Sequence, residues 1–178
     1  MVAELRMGDS DFVLFGLPER FAIDPVQLEA QWKALQGATH PDRFATEGAA
    51  AQRLAMQWAI RINEAYQRLK DPLKRAEYLC TLHGADVQAH SNTAMPHAFL
   101  MQQMAWREAL EEAQGLPDVE ELAEAVSATR RRMVEALRHQ VDDVVPVDWP
   151  AVAQAVRALM FVDRFGHDVD RRLDDLSD

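Results

Sequence analysis

Residues 37–46 read Gly-Ala-Thr-His-Pro-Asp-Arg-Phe-Ala-Thr, and the His40-Pro41-Asp42 triplet at their centre is the most reactive-looking cluster in the chain. A proline at 41 locks its own φ and pushes residue 40 out of helical geometry. An imidazole and a carboxylate are then held on a stiff, polar turn, where Asp42 can also cap a following helix. Other candidate groups are weaker. His83, His90 and His97 are spaced by seven, but no His-x-x-x-His or Glu-x-x-His pair accompanies them, so a metal centre is not expected. The terminal run Asp-Val-Asp-Arg-Arg-Leu-Asp-Asp-Leu-Ser-Asp has carboxylates without the glycine and closing glutamate of a calcium loop. The lone cysteine, Cys80, rules out an internal disulfide and sits in an apolar stretch, where a buried thiol is expected. No glycine-rich phosphate loop and no Ser/His/Asp arrangement is visible. Neither enzyme activity nor a cofactor is expected.

Composition narrows the partners. The 178 residues carry a net charge of −10, which disfavours nucleic acid as a ligand. The charge is uneven. Residues 1–81 hold 10 basic and 11 acidic side chains, whereas residues 82–178 hold 9 and 18. Two units with different partners are implied. No stretch is apolar enough to span a membrane. The first fifteen residues show neither a basic leader with an apolar run nor a transit-peptide composition, so a cytoplasmic, bacterial setting is expected.

The elements that must position the triplet are helices. Strand alternation and hairpin dipeptides are nearly absent. A short helix is expected in Asp-Phe-Val-Leu-Phe-Gly-Leu from residue 11. A second runs from an Asp24 cap and Pro25 to Gly37, with Val26, Leu28, Trp32 and Leu35 inward. A third spans about 46–70, starting near Thr46 or Glu47, with Leu54, Trp58, Ile62, Ala65 or Tyr66, and Leu69 inward. A fourth starts at Asp71-Pro72 and ends at Gly84. A polar linker follows at 85–95. Three amphipathic helices, at about 96–114, 117–143 and 147–174, predict an antiparallel bundle.

One helix of that bundle has more apolar surface than it needs. At 100° per residue, Phe99, Trp106, Ala109, Leu110 and Ala113 form a core stripe. Leu100, Met101, Met104, Glu108 and Glu112 fall on the other side, apolar first and acidic later. A bundle helix buries one stripe. The surplus face either packs on the N-terminal unit or receives a partner, a use to which adaptable methionines are suited.

The His-Pro-Asp turn between two helices, followed by Asn63-x-Ala65-Tyr66-x-x-Leu69 and Asp71-Pro72-x-Lys74-Arg75-Ala76-x-Tyr78, resembles a J-domain over about residues 9–83. That resemblance implies that His40, Pro41 and Asp42, with Lys33 and Arg43, engage a DnaK-type chaperone and trigger its ATP hydrolysis. J-domains usually carry a basic face on the helix before the turn. Here that helix offers Lys33 and little else, and Arg43, Arg53 and Arg61 are the nearby cations that could compensate. No Gly/Phe-rich segment or cysteine-rich repeat follows. Phe99-Leu100-Met101-x-Gln103-Met104-x-x-Arg107-Glu108-Ala109-Leu110, with Arg157-Ala158-Leu159-Met160-Phe161-Val162-Asp163-Arg164-Phe165 near the end, resembles the HscB family of iron–sulfur co-chaperones. The chain lacks the N-terminal zinc cysteines of some eukaryotic members. The resemblance implies an all-α chain: a J-domain at 1–84, a linker at 85–95 and a three-helix scaffold-binding bundle at 96–178. It implies delivery of an IscU-type scaffold to the chaperone HscA, with Leu100, Met101, Met104, Glu108, Glu112 and Phe161 on the scaffold. Ala105 stands where relatives can have another acid. The alternatives are a J-domain co-chaperone for other clients and a helical interaction protein that stimulates nothing.

Overall fold

The computed structural model describes residues 5–87 and 94–177, and among them there are helices and turns but no strand. The chain divides between Leu79 and Cys80 into two compact units. His90 and most of the expected linker lie outside the described residues.

The first unit is helical and carries the His-Pro-Asp turn. Helix α1 (Asp11–Leu14) is capped by the Ser10 hydroxyl, which accepts from the Val13 N–H. Helix α2 (Pro25–Thr39) starts where expected, with the Asp24 carboxylate accepting from the amides of Val26 and Gln27 and Pro25 in the first turn. It does not stop at Gly37. The helix continues through Thr39, whose hydroxyl donates to the Leu35 carbonyl, and ends only where Pro41 excludes helical geometry at His40. Helix α3 (Ala49–Lys70) begins later than Thr46 or Glu47. Pro41–Phe44 forms a 3₁₀ turn, and the entry into α3 passes through Gly48 at φ +96°, a conformation that favours glycine. Helix α4 (Pro72–Leu82) is capped by Asp71, which accepts from the amides of Leu73 and Lys74. It closes at Gly84 with paired bonds, Gly84 N–H to Thr81 and Ala85 N–H to Cys80.

Helices α2 and α3 run antiparallel. Trp32 stacks on Tyr66 with ring centroids 4.5 Å apart. The Trp32 indole and the Gln36 amide both donate to the Asn63 carbonyl oxygen, at 2.9 and 3.1 Å. This is why the Asn-x-Ala-Tyr spacing belongs to the hairpin: Ala65 lets the helices approach, Tyr66 supplies the platform and Asn63 sets the register. Two expected inward positions face water instead. Val26 and Leu54 are exposed, and Ala55 is buried beside Ile62 and Leu69. Val26 lies about 160° round α2 from Leu28, on the side opposite the stripe of Leu28, Trp32 and Leu35, and Leu54 lies at the edge of the α3 stripe.

A buried charge pins α1 to α3 and α4. Asp11 is fully buried, with Arg61 Nη1 and Arg68 Nε each 2.7 Å from its carboxylate. Arg61 also donates to the carbonyls of Met7 and Asp9. The Asp11 bond raises the pKa of Arg68 further. The Asp11 N–H donates to the Tyr78 hydroxyl at 2.9 Å, and the Tyr78 ring stacks on Phe12. Burial, reinforced by the Asp11 charge, raises the Tyr78 pKa above its usual value near 10. The native state therefore keeps this proton when the unfolded chain has lost it. Stability gained from the neutral phenol is complete below pH 10 and falls as pH rises further. Chemical denaturation at pH 8, 10 and 11 is expected to show this decline, with a shallower slope in Tyr78→Phe.

The second unit contains the end of α4 and an up-down-up bundle of α5 (His97–Glu112), α6 (Leu116–Arg138) and α7 (Trp149–Ser177). Trp106 stacks on Phe165 at 5.6 Å, and Val119, Leu122, Val126, Val162 and Val169 complete the core. Arg130 Nε donates to Asp163 at 2.6 Å and ties α6 to α7. Ala109 is exposed, although it belongs to the apolar stripe by periodicity. The sixth helix does not run regularly to residue 143. It passes at His139–Asp143 into a π-helical turn, in which Asp143 accepts from Arg138 and contacts His139. Those two partners lower the Asp143 pKa, that of Arg138 foremost. Cys80 is buried, and His83 stacks on Trp149 at 4.0 Å.

Candidate functional site

The first candidate surface is built by backbone geometry around the triplet. His40 takes an extended conformation (φ −59°, ψ 127°), as the residue before proline must. Pro41 opens the 3₁₀ turn, and the Arg43 N–H donates to the His40 carbonyl at 3.0 Å. The His40 Nδ1 atom accepts from the Asp42 N–H at 3.3 Å and lies 3.6 Å from the Asp42 carboxylate. With Nδ1 accepting, a neutral His40 carries its proton on Nε2, leaving a donor on the ring's other nitrogen. The Asp42 side chain is 91% exposed. A solvated carboxylate on a rigid turn is suited to a charge-assisted bond with a partner's cation.

The flanking cations are less available. Lys33 pairs with Glu29 one turn away at 2.7 Å, and each keeps the other charged. Arg43 Nη1 donates to the Gly37 carbonyl at 2.9 Å, so the guanidinium caps the end of α2 as well as facing water. Arg61 is excluded as a surface cation, because its charge is spent on buried Asp11. Arg53 is exposed.

The second candidate surface is the outer face of α5. Leu100, Met101 and Met104 are 45%, 52% and 57% exposed, while Phe99 and Trp106 of the same helix point inward. Glu108 and Glu112 continue the face toward the helix end and are exposed, as is Ala105. Phe161, on α7, is half-buried. It packs edge-on against Phe99 at 6.4 Å, and the Arg164 guanidinium lies 5.9 Å from its ring centre. The phenyl thus borders the bundle core at the α5–α7 seam and still shows part of its surface. Three large apolar side chains in one and a half turns of a solvated helix are more than scattered surface residues.

Periodicity alone did not reveal the buried Asp11–Arg61–Arg68 cluster. A signal existed: Arg61 and Arg68 are seven residues apart on the side of α3 that faces the core, and cations there require a carboxylate partner. Among the described residues no group of three or more His, Cys, Asp or Glu could hold a metal, and no helix is long and apolar enough to cross a membrane.

An exposed His-Pro-Asp turn in an antiparallel helical hairpin, followed by a separate helical bundle, defines a J-domain protein with a C-terminal helical domain. The family model for the HSCB C-terminal oligomerisation domain matches residues 95–170. The co-chaperone protein HscB homolog of Burkholderia mallei is 49% identical over 178 residues, covering 97% of this chain and 98% of the relative. That of Bordetella pertussis is 48% identical over 163 residues, covering 91% and 95%. The structure of chaperone HscB from Vibrio cholerae superposes with a TM-score of 0.81 at 37% identity, covering 94% of this chain and 99% of that one. Human co-chaperone HscB shares the fold, with a TM-score of 0.85 at 21% identity and coverage of 92% and 81%. The chain belongs to the HscB family, co-chaperones of the Hsp70 system in iron–sulfur cluster assembly.

Proposed function

We propose that this chain binds an IscU-type iron–sulfur scaffold through the α5 face and delivers it to an HscA-type chaperone, whose ATP hydrolysis it stimulates through the His-Pro-Asp turn. The observation that carries this reading is the presence on one chain of two exposed surfaces of different chemistry: a rigid polar turn and an apolar–acidic helix face. In this reading residues 1–84 act on the chaperone, 85–95 link and 96–178 hold the client. Pro41 fixes the turn, His40 and Asp42 meet the chaperone, and Arg43 supports them from the end of α2. Leu100, Met101, Met104 and Phe161 seat on apolar scaffold surface, and Glu108 and Glu112 meet its cations. The chain performs no bond-making step. It raises the effective concentration of scaffold at the chaperone by tethering, and the hydrolysis belongs to the chaperone.

Single-turnover ATP hydrolysis by the HscA-type chaperone, with its scaffold present, tests this. The native chain is expected to accelerate hydrolysis. His40→Gln is expected to return it to near the basal rate, since losing a central contact of about 2 kcal/mol weakens docking roughly thirtyfold. A basal rate with both proteins would reduce the triplet to a turn and favour a non-stimulating interaction protein. Stimulation without scaffold binding would favour a J-domain co-chaperone for other clients.

A further inference from the structure

No residue between Leu28 and Ala55 is buried, so the apolar core of the α2–α3 hairpin ends well before its tip. The His-Pro-Asp turn therefore takes its shape from hydrogen bonds. Its own backbone supplies short-range ones, from the N–H groups of Arg43, Ala45 and Glu47 to the carbonyls of His40, Asp42 and Phe44. These shape the turn internally and do not fasten it to the two helices.

Side chains do that, one on each side. Pro41 has no N–H, so the Gly37 carbonyl lacks the donor that the residue four places on gives in a helix. The Arg43 guanidinium takes that place at 2.9 Å. On the other side, the 3₁₀ turn ends at Phe44, and α3 starts only at Ala49, without a side-chain cap. The Ala45 carbonyl falls in the gap between them. Gln52, in the first turn of α3, donates its side-chain amide to that carbonyl at 3.2 Å.

We propose that Gln52 is a positioning residue for the His-Pro-Asp turn, holding it on α3 as Arg43 holds it on α2. The inference rests on the reading of the turn as the chaperone-binding surface, and it names a residue that acts through that surface. A fastened turn offers His40 and Asp42 in the docking geometry without first having to be ordered. With the Gln52 bond gone, the turn spends a smaller share of its time in that geometry, and the apparent affinity falls in proportion. Once docked, the turn is held by the chaperone itself, so the maximal stimulated rate stays the same. An exposed bond between neutral groups has a modest net strength, and a change of about threefold is expected.

Gln52→Met keeps the reach of the side chain and suits a helix, but removes the donor. Gln52→Lys restores a donor at similar reach. In the free full-length chain, backbone amide exchange followed by NMR is expected to run about threefold faster at Arg43, Ala45 and Glu47 in Gln52→Met, and near the native rate in Gln52→Lys. Exchange at Ile62 and Leu69, in the core of α3, and the melting temperature are expected to stay native. Single-turnover ATP hydrolysis by the HscA-type chaperone, titrated with each protein, is expected to reach the native maximum with Gln52→Met, at a half-saturating concentration about threefold higher. Native exchange in Gln52→Met would overturn the inference, and native exchange with weaker docking would make Gln52 a direct contact of the chaperone instead. Faster exchange with unchanged half-saturation would also overturn it, by showing that the chaperone does not sense how the turn is fastened. Native stimulation by His40→Gln would remove the reading of the turn itself, whatever Gln52→Met does to exchange.

Discussion

Asp11→Ala is expected to destabilise the J-domain by about 3 kcal/mol, the low end of the cost of breaking a buried ion pair by removing one partner. Asp11 is fully sealed, but Arg68 is more than a third exposed and Arg61 less than a fifth, so water can rescue part of the orphaned charge on Arg68 and little of that on Arg61. The change removes both arginine contacts of the carboxylate. It leaves the Asp11 N–H on Tyr78 in place, because that bond belongs to the backbone. Urea denaturation of the native and variant chains measures the effect. Arg61→Ala is expected to cost less in the Asp11→Ala background than in the native one, by about 1–3 kcal/mol, as coupled partners do. A loss under about 1 kcal/mol for Asp11→Ala would mean that the cluster breaks even against solvation. The His-Pro-Asp turn lies at the other end of α3 from Arg68. Folded Asp11→Ala protein is therefore expected to stimulate the chaperone normally at temperatures below its melting transition, unlike His40→Gln.

Much of the fold was legible because helix signals here are local. Asp24-Pro25 and Asp71-Pro72 mark helix starts through one carboxylate and one missing N–H each, and both helices begin there. Gly84 marks an end through its positive φ. Gly37 misled because a glycine inside a helix costs only about 1 kcal/mol, and the helix was free to run on until Pro41 stopped it. The exposed Val26 and Leu54 show a different limit. Val26 lies about 160° round the helix from Leu28 and does not share the stripe of Leu28, Trp32 and Leu35, whereas Leu54 sits at the edge of its stripe, where the packing of the neighbouring helix decides burial. The α5 face was legible for the converse reason: Leu100, Met101 and Met104 are incompatible with the stripe that holds Phe99 and Trp106, and a helix cannot bury both sides in a three-helix bundle. The buried Asp11–Arg61–Arg68 cluster was not, because the carboxylate that pairs the two arginines comes from another helix. Nor could spacing separate Arg61 from Arg43, since the distinction lies in Asp11, 50 residues away in sequence.

Replacing Met101 and Phe161 together by alanine is expected to weaken scaffold binding by about 2–4 kcal/mol, or roughly 30- to 1000-fold, the loss typical of a central apolar pair in an interface. The two single changes should differ in kind. Met101 is half-exposed on α5 and touches little of the core, so Met101→Ala is expected to lower affinity and leave the melting temperature within about 1 °C of native. Phe161 packs on Phe99 at the α5–α7 seam, so Phe161→Ala removes ring contacts from the bundle as well as from the client. A destabilisation of about 1–2 kcal/mol is expected for it, below the cost of truncating a fully buried phenylalanine. Calorimetric titration with the IscU-type scaffold, alongside thermal melting, separates the two effects. If the double variant melts cooperatively and binds as tightly as the native chain, the exposed methionine face is not the client surface. If it binds weakly while ATPase stimulation by the free co-chaperone is retained, the two surfaces act independently. The delivery role then resides in their covalent connection, not in either surface alone.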